Sequence, residues 1–178
     1  RLIGLPWSPG LARRAQLAVQ GTLAASRMAL QHGIAANLAG GSHHAFADHG
    51  EGFSVFNDIA VAIRVLQREQ VIKRAAIIDL DVHQGNGTAT IFTQDVSVFT
   101  CSVHGEKNYP FQKVRSSLDL ALPDGTDDAA YLEVLRTHVP GIVQQFRPDM
   151  VWYLAGVDPY VGVAVWMEAH KQNDFKFR

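Results

Sequence analysis

Apolar positions along this chain alternate between helix-like spacing and compact continuous runs. From Leu11 to His32 the sequence is rich in Ala, Leu, Gln and Arg, contains Gly21 but no proline, and is followed by Gly33 in a stop position, which predicts a long helix. Phe56 to Glu69 places Ile59, Ile63 and Leu66 on one side of a second helix, and Tyr131 to Phe146 predicts another. Between these lie four apolar runs, IAANLAGG, KRAAIIDLDVH, DVSVFTCSVH and DMVWYLAGVDP, each ending in glycine or polar residues. Such runs fit strands buried on both faces of a parallel sheet, which carry their chemistry beyond their carboxyl ends; Ala75 to Val82 fits best. A short helix is expected after Gly87, and the segment GSHHAFADHGEGF reads as a functional loop behind the first run. Helices alternating with buried strands predict an α/β domain with a mostly parallel sheet.

Composition narrows the function classes. The 178 residues suit one domain, and 47% hydrophobic with 19% charged residues is ordinary for a folded globular protein. A net charge of -1 gives no Lys/Arg surplus for direct nucleic-acid binding. Cys101 is the only cysteine and cannot close an internal disulfide, which points to a reducing compartment: the cytoplasm, or the nucleus in a eukaryote. No membrane span and no secretory leader is read in the sequence, although a first residue Arg1 rather than Met suggests a fragment.

The chemistry gathers at the strand ends. Residues two apart on a strand share a face, so Asp79, Asp81 and His83 are expected to project together. Two carboxylates and an imidazole at a buried strand end are costly unless a divalent cation offsets the like charges. Asp158, at the end of another strand, would complete the set with Asp81 and His83. Three protein ligands leave a position open for water or substrate, as in a catalytic zinc site, though the same ligands suit iron(II). His43 and His44 follow Gly40 and Gly41, and Asp79 and Asn86 are acceptors able to orient the two rings.

The blocks GGSHHAFADHGEGFSVFND, IDLDVHQGNGT, SVHGEKNYPF and LAGVDPY resemble successive blocks of the histone deacetylase and acetoin-utilisation superfamily, across roughly Leu2 to Tyr160. That resemblance implies a three-layer arginase/deacetylase-like fold, incomplete at both ends, with residues 1–160 a partial catalytic domain and 161–178 a divergent tail. It implies that Asp81, His83 and Asp158 ligate Zn2+. It casts His44 as general base and acid, His43 as its electrostatic partner, and Asp79 as the carboxylate behind His43. Asn86 stands where many members carry an aspartate, so His44 is expected to be less basic than in those members. The backbone around Asp79, Asp81, His83, Ser102 and Val103 resembles a structural K+ site, while Gly52, Phe53 and Phe111 resemble the walls of an acyl-lysine channel. The implied substrate is an acetylated protein lysine or a small acetylated amine, and the oligomeric state is left open.

No segment matches the glycine-rich loop whose tyrosine usually stabilises the oxyanion. With that loop and the flanking family strands unmatched, the chain as it stands is expected to bind metal weakly and to turn over slowly or not at all. A non-catalytic acyl-ligand binder stays open on that ground. An arginase-type ureohydrolase would need a second metal and an acid at position 85, where this chain has Gly85.

Overall fold

Ser8 begins the first helix, α1 (Pro9–His32): its hydroxyl accepts from the Leu11 N–H at 3.0 Å, while Pro9 fills a first-turn position that needs no donor. Gly33 ends the helix at φ 87°, donating its N–H to Ala29 O at 2.7 Å. These details come from a computed structural model that describes residues 3–159. Helix α2 (Asp58–Arg68) is capped by the Asn57 side chain and buries Ile59, Ile63 and Leu66, the face expected from their spacing.

Asp58 ties this region together. Its carboxylate is buried, yet it accepts from the Thr22 hydroxyl at 2.5 Å and from the Gly41 and Ser42 N–H groups at 3.1 and 2.8 Å. The loop leading to the histidine pair is thereby anchored to the start of α2. Gly40 must be glycine here, because a Cβ would lie 2.5 Å from Asp58 Oδ2. The strand expected over IAANLAGG does not form. Ile34 and Leu38 lie in solvent, and Asn37 spans the segment by donating to Ala18 O and Thr22 Oγ1 at 3.0 and 2.8 Å. Side-chain links to α1 and α2 replace the ladder that a strand would need.

The described chain sorts into two compact units. One holds the residues up to Lys73 with Asn86–Phe92, including the short helix α3 (Asn86–Ile91); the other holds Arg74–Gly85 and the chain from Thr93 onward. In the second unit β1 (Ala75–Asp79), β2 (Val98–Gly105), β3 (Leu118–Leu122) and β4 (Met150–Leu154) form a sheet in the order β3-β2-β1-β4, with every pairing parallel. Ala76, Ile78, Leu80 and Val82 alternate into a core with Cys101, Val103 and Leu122. Helix α4 (Asp128–Phe146), capped by Asp127, covers that face through Ile142, Tyr131, Leu135 and Phe146. The edge strand β3 is absent from the sequence expectations; it is short and half-exposed, and lacks a continuous apolar run. Two expected strands also stop early, β1 at Asp79 and β4 at Leu154.

Burial governs two titratable groups in this unit. The Cys101 thiol is pushed up to about 12 by desolvation, with Asp79 and Asp119 adding to the shift, so it is a poor nucleophile. His104, 1% exposed and with Nδ1 2.9 Å from Ser102 Oγ, is pushed down to about 4 by burial, which the Asp119 charge only partly opposes. Between its ordinary value of 6.5 and about 4 the unfolded chain binds the extra proton and the folded chain does not. Stability therefore falls as pH drops through that window, by on the order of 2–3 kcal/mol. Denaturant midpoints at pH 7 and pH 4.5 are expected to differ less in His104→Asn than in the unaltered chain.

Candidate functional site

Beyond Asp79 the chain leaves the strand and bends through residues 81–83, held by backbone links to both neighbouring strands. The Leu80 N–H donates to Leu154 O at 3.0 Å, and the Gly105 N–H donates to Val82 O at 2.8 Å. On the opposite side, Asp79 Oδ1 accepts from the Asp81 N–H at 3.1 Å and Asp81 Oδ1 from the His83 N–H at 2.9 Å. Leu80 and Val82 thus stay in the core while Asp81 and His83 remain on the other face.

Asp158, on the loop past β4, joins them. His83 Nδ1 lies 2.8 Å from Asp81 Oδ1 and 3.5 Å from Asp158 Oδ2, and one ligand atom from each residue falls within 4.8 Å of the others. Zinc bonds of about 2.0–2.2 Å in a tetrahedral arrangement separate neighbouring donors by roughly 3.3–3.5 Å. The 3.5 Å separation matches that value and the 2.8 Å one is shorter, and two oxygens with one imidazole nitrogen are a donor set that a divalent ion takes. Side-chain exposures of 13%, 12% and 25% for Asp81, His83 and Asp158 leave the cluster at a partly open rim. Without a cation, two carboxylates in this setting repel.

Gly156 makes this approach feasible. A Cβ there would run into the Asp81 carboxylate, coming 2.7 Å from its Cγ and closer still to Oδ2. Gly156→Ala is expected to displace Asp81 and lower metal affinity about tenfold or more. Competition with a chromogenic chelator measures it, and unchanged affinity would show that Asp81 is not a ligand.

In the first unit His43 and His44 are both buried, with ring centroids 4.1 Å apart. Their loop is pinned by Thr88, whose N–H donates to His43 O at 3.0 Å, and by Asn57, whose amide donates to Ala45 O at 3.2 Å. His44 Nδ1 is 2.7 Å from Asn86 Oδ1, the partner expected for it. Asn86 in turn donates from Nδ2 to Glu51 Oε1 at 3.0 Å. Gly52, at φ +52°, lies against His44, whose Cδ2 would be 2.6 Å from an added Cβ. Phe53 is 58% exposed.

The remaining predicted residues belong to the second unit. Ser102 and Val103 are buried on β2, and Ser102 pairs in register with Asp79. Phe111 is 88% exposed. Sequence reasoning missed Gln84, which is fully buried: its amide donates to Val114 O and Asp119 Oδ1 at 2.6 and 2.7 Å, while Oε1 accepts from the Val114 N–H at 2.9 Å. It also missed Tyr109, edge-on to His83 at 6.4 Å, and Glu51. An acid between two glycines, Gly50 and Gly52, was the available signal for Glu51.

Residues 4–170 match the histone deacetylase domain. An uncharacterized protein of Picosynechococcus sp. is 52% identical over 162 residues, covering 91% of this chain and 54% of that protein. Histone deacetylase 2 of Arabidopsis thaliana is 36% identical over 143 residues, covering 79% of this chain and 37% of the relative. The acetoin utilization protein AcuC of Bacillus subtilis is 34% identical over 169 residues, covering 87% and 43%. Among solved structures, the HDA15 HD domain superposes with a TM-score of 0.71 at 30% identity, covering 85% of this chain and 48% of that one. The chain thus spans about a third to a half of the length of these relatives.

Proposed function

The chain belongs to the histone deacetylase family, and on that footing we propose that it carries the metal-binding core of a zinc-dependent deacetylase, acting on acetyl-lysine in proteins or on a small acetylated amine. The observation that supports this reading is the convergence of Asp81, His83 and Asp158, one ligand atom of each lying within 4.8 Å of the others. A divalent ion held there would supply Lewis acidity toward the amide carbonyl and lower the pKa of water in the position three protein ligands leave open.

The chain's own residues supply the rest. His44 acts as general base, taking a proton from the attacking water and returning it to the departing amine. Its Nδ1 is engaged by Asn86 at 2.7 Å, so the proposed transfer runs through Nε2. His43, its ring tilted beside that of His44, acts electrostatically. Support for assigning the paired histidines to this reaction comes from the family motif GGSHHAFADHGEGF. Phe53 and Phe111, both exposed, are proposed as apolar rim contacts for the acyl-lysine stem. The Asp79 and Ser102 register position is proposed as part of a K+ site.

A hydroxamate titration followed by an acetate-release assay on an acetyl-lysine peptide tests the proposal. Hydroxamate binding with hydrolysis, however slow, is expected. Binding without any acetate from peptide or acetylated amines would make the protein an acyl-ligand binder instead.

A further inference from the structure

We propose that Glu51 is a positioning residue for His44: by fixing the Asn86 amide in one orientation, it sets the tautomer of His44 that carries its proton on Nδ1 and none on Nε2. This rests on the reading of His44 as the general base. An asparagine behind an imidazole is by itself an ambiguous device, because its amide can present either oxygen or nitrogen to the ring. With the nitrogen inward, Nδ1 would have to accept, the proton would sit on Nε2, and the base would be blocked. An aspartate in the same position has no such ambiguity, since a carboxylate only accepts.

Glu51 removes the ambiguity from outside. Its Oε1 lies 3.0 Å from Asn86 Nδ2, and an ionised carboxylate has no hydrogen to donate, so the amide nitrogen must face Glu51. Asn86 Oδ1 then faces His44 Nδ1 at 2.7 Å, and at that distance the ring nitrogen must be the donor. The other oxygen of Glu51 lies 3.7 Å from His49 Nε2, while His49 Nδ1 is 2.7 Å from Asp48 Oδ1 and its ring stacks on Phe46 at 4.4 Å. The carboxylate is thus held from both sides. Gly52 lets this loop pass directly against the His44 ring. A carboxylate acting through an amide thereby does the orienting work that a direct aspartate would do.

The arrangement predicts a sign reversal between two substitutions. Glu51→Gln alone lets the Asn86 amide turn over, because glutamine can accept or donate. Asn86→Asp alone sets two carboxylates about 3 Å apart, where they compete for one proton. Together the substitutions restore a single carboxylate facing Nδ1, with a glutamine able to donate to it.

The test is the nitrogen-15 NMR spectrum of the His44 ring in the full chain with no metal added, paired with kcat and KM. The unaltered chain is expected to show the Nδ1-protonated tautomer, and E51Q a mixture of both. In E51Q, kcat is expected to fall about tenfold or more with KM unchanged, and E51Q/N86D to recover both the tautomer and most of the rate. A proton on Nε2 in the unaltered chain would overturn the proposal, whether or not E51Q folds, and so would an unchanged tautomer in a folded E51Q. An Nδ1 proton in a chain with no hydrolysis in any variant would uphold the role of Glu51 and overturn the deacetylase reading.

Discussion

Asp158→Ala is expected to weaken divalent-metal binding by a factor of about a hundred to a thousand and to remove hydrolysis with it. Asp158 Oδ2 sits 3.5 Å from His83 Nδ1 and supplies one of the two carboxylates in the cluster. Its loss leaves one acid and one imidazole, which hold an ion far less firmly and orient it poorly. The stability of the metal-free chain is expected to move the other way. Removing one of two neighbouring carboxylates relieves repulsion, so the apo variant should be as stable as the unaltered chain, or slightly more so. Added zinc should raise the melting temperature of the unaltered chain and leave that of the variant nearly unmoved. A residue kept only for packing would lower apo stability instead, and thermal scans with and without zinc separate the two cases.

His44→Ala is expected to lower kcat by a factor of about 10² to 10⁴ while metal affinity stays within about twofold. His44 is buried in the loop pinned by Thr88 and Asn57, and its Nδ1 is committed to Asn86. It lies outside the ligand set of Asp81, His83 and Asp158. The substitution therefore removes a proton acceptor and leaves the metal's ligands untouched. Zinc affinity and acetate release measured on the same preparation give the contrast with Asp158→Ala, which should lose both. Retained turnover in His44→Ala would remove this histidine from the chemistry.

Much of the scaffold was legible because local signals agreed with burial. Gly33 marks the end of α1, and Ile59, Ile63 and Leu66 reveal the buried face of α2. The continuous apolar runs of β1 and β2 identify a parallel sheet interior, whereas the apolar run of β4 lies at an edge with Val151 and Tyr153 exposed. Strand β3 escaped because an edge strand needs only half of its side chains buried. The run from Ile34 to Gly41 misled for the opposite reason: its apolar residues face solvent, and its partners are the side chains of Asn37 and Asp58.

The candidate metal site was legible as residue types and spacing, but the means of holding it was not. Asp81 and His83 lie past the end of β1, where the chain bends and the side chains of Asp79 and Asp81 accept from backbone N–H groups to hold it. Only the contact of Gly156 with the Asp81 carboxylate shows why a side chain is excluded there. Glu51 matters through Asn86, a link between residues that sequence spacing does not join.

Calorimetric titration of the unaltered chain with zinc tests the central claim most directly. A single site with one ion per chain is predicted, weakened in Asp81→Ala, His83→Ala and Asp158→Ala alike. No heat of binding, or two ions per chain, would contradict it.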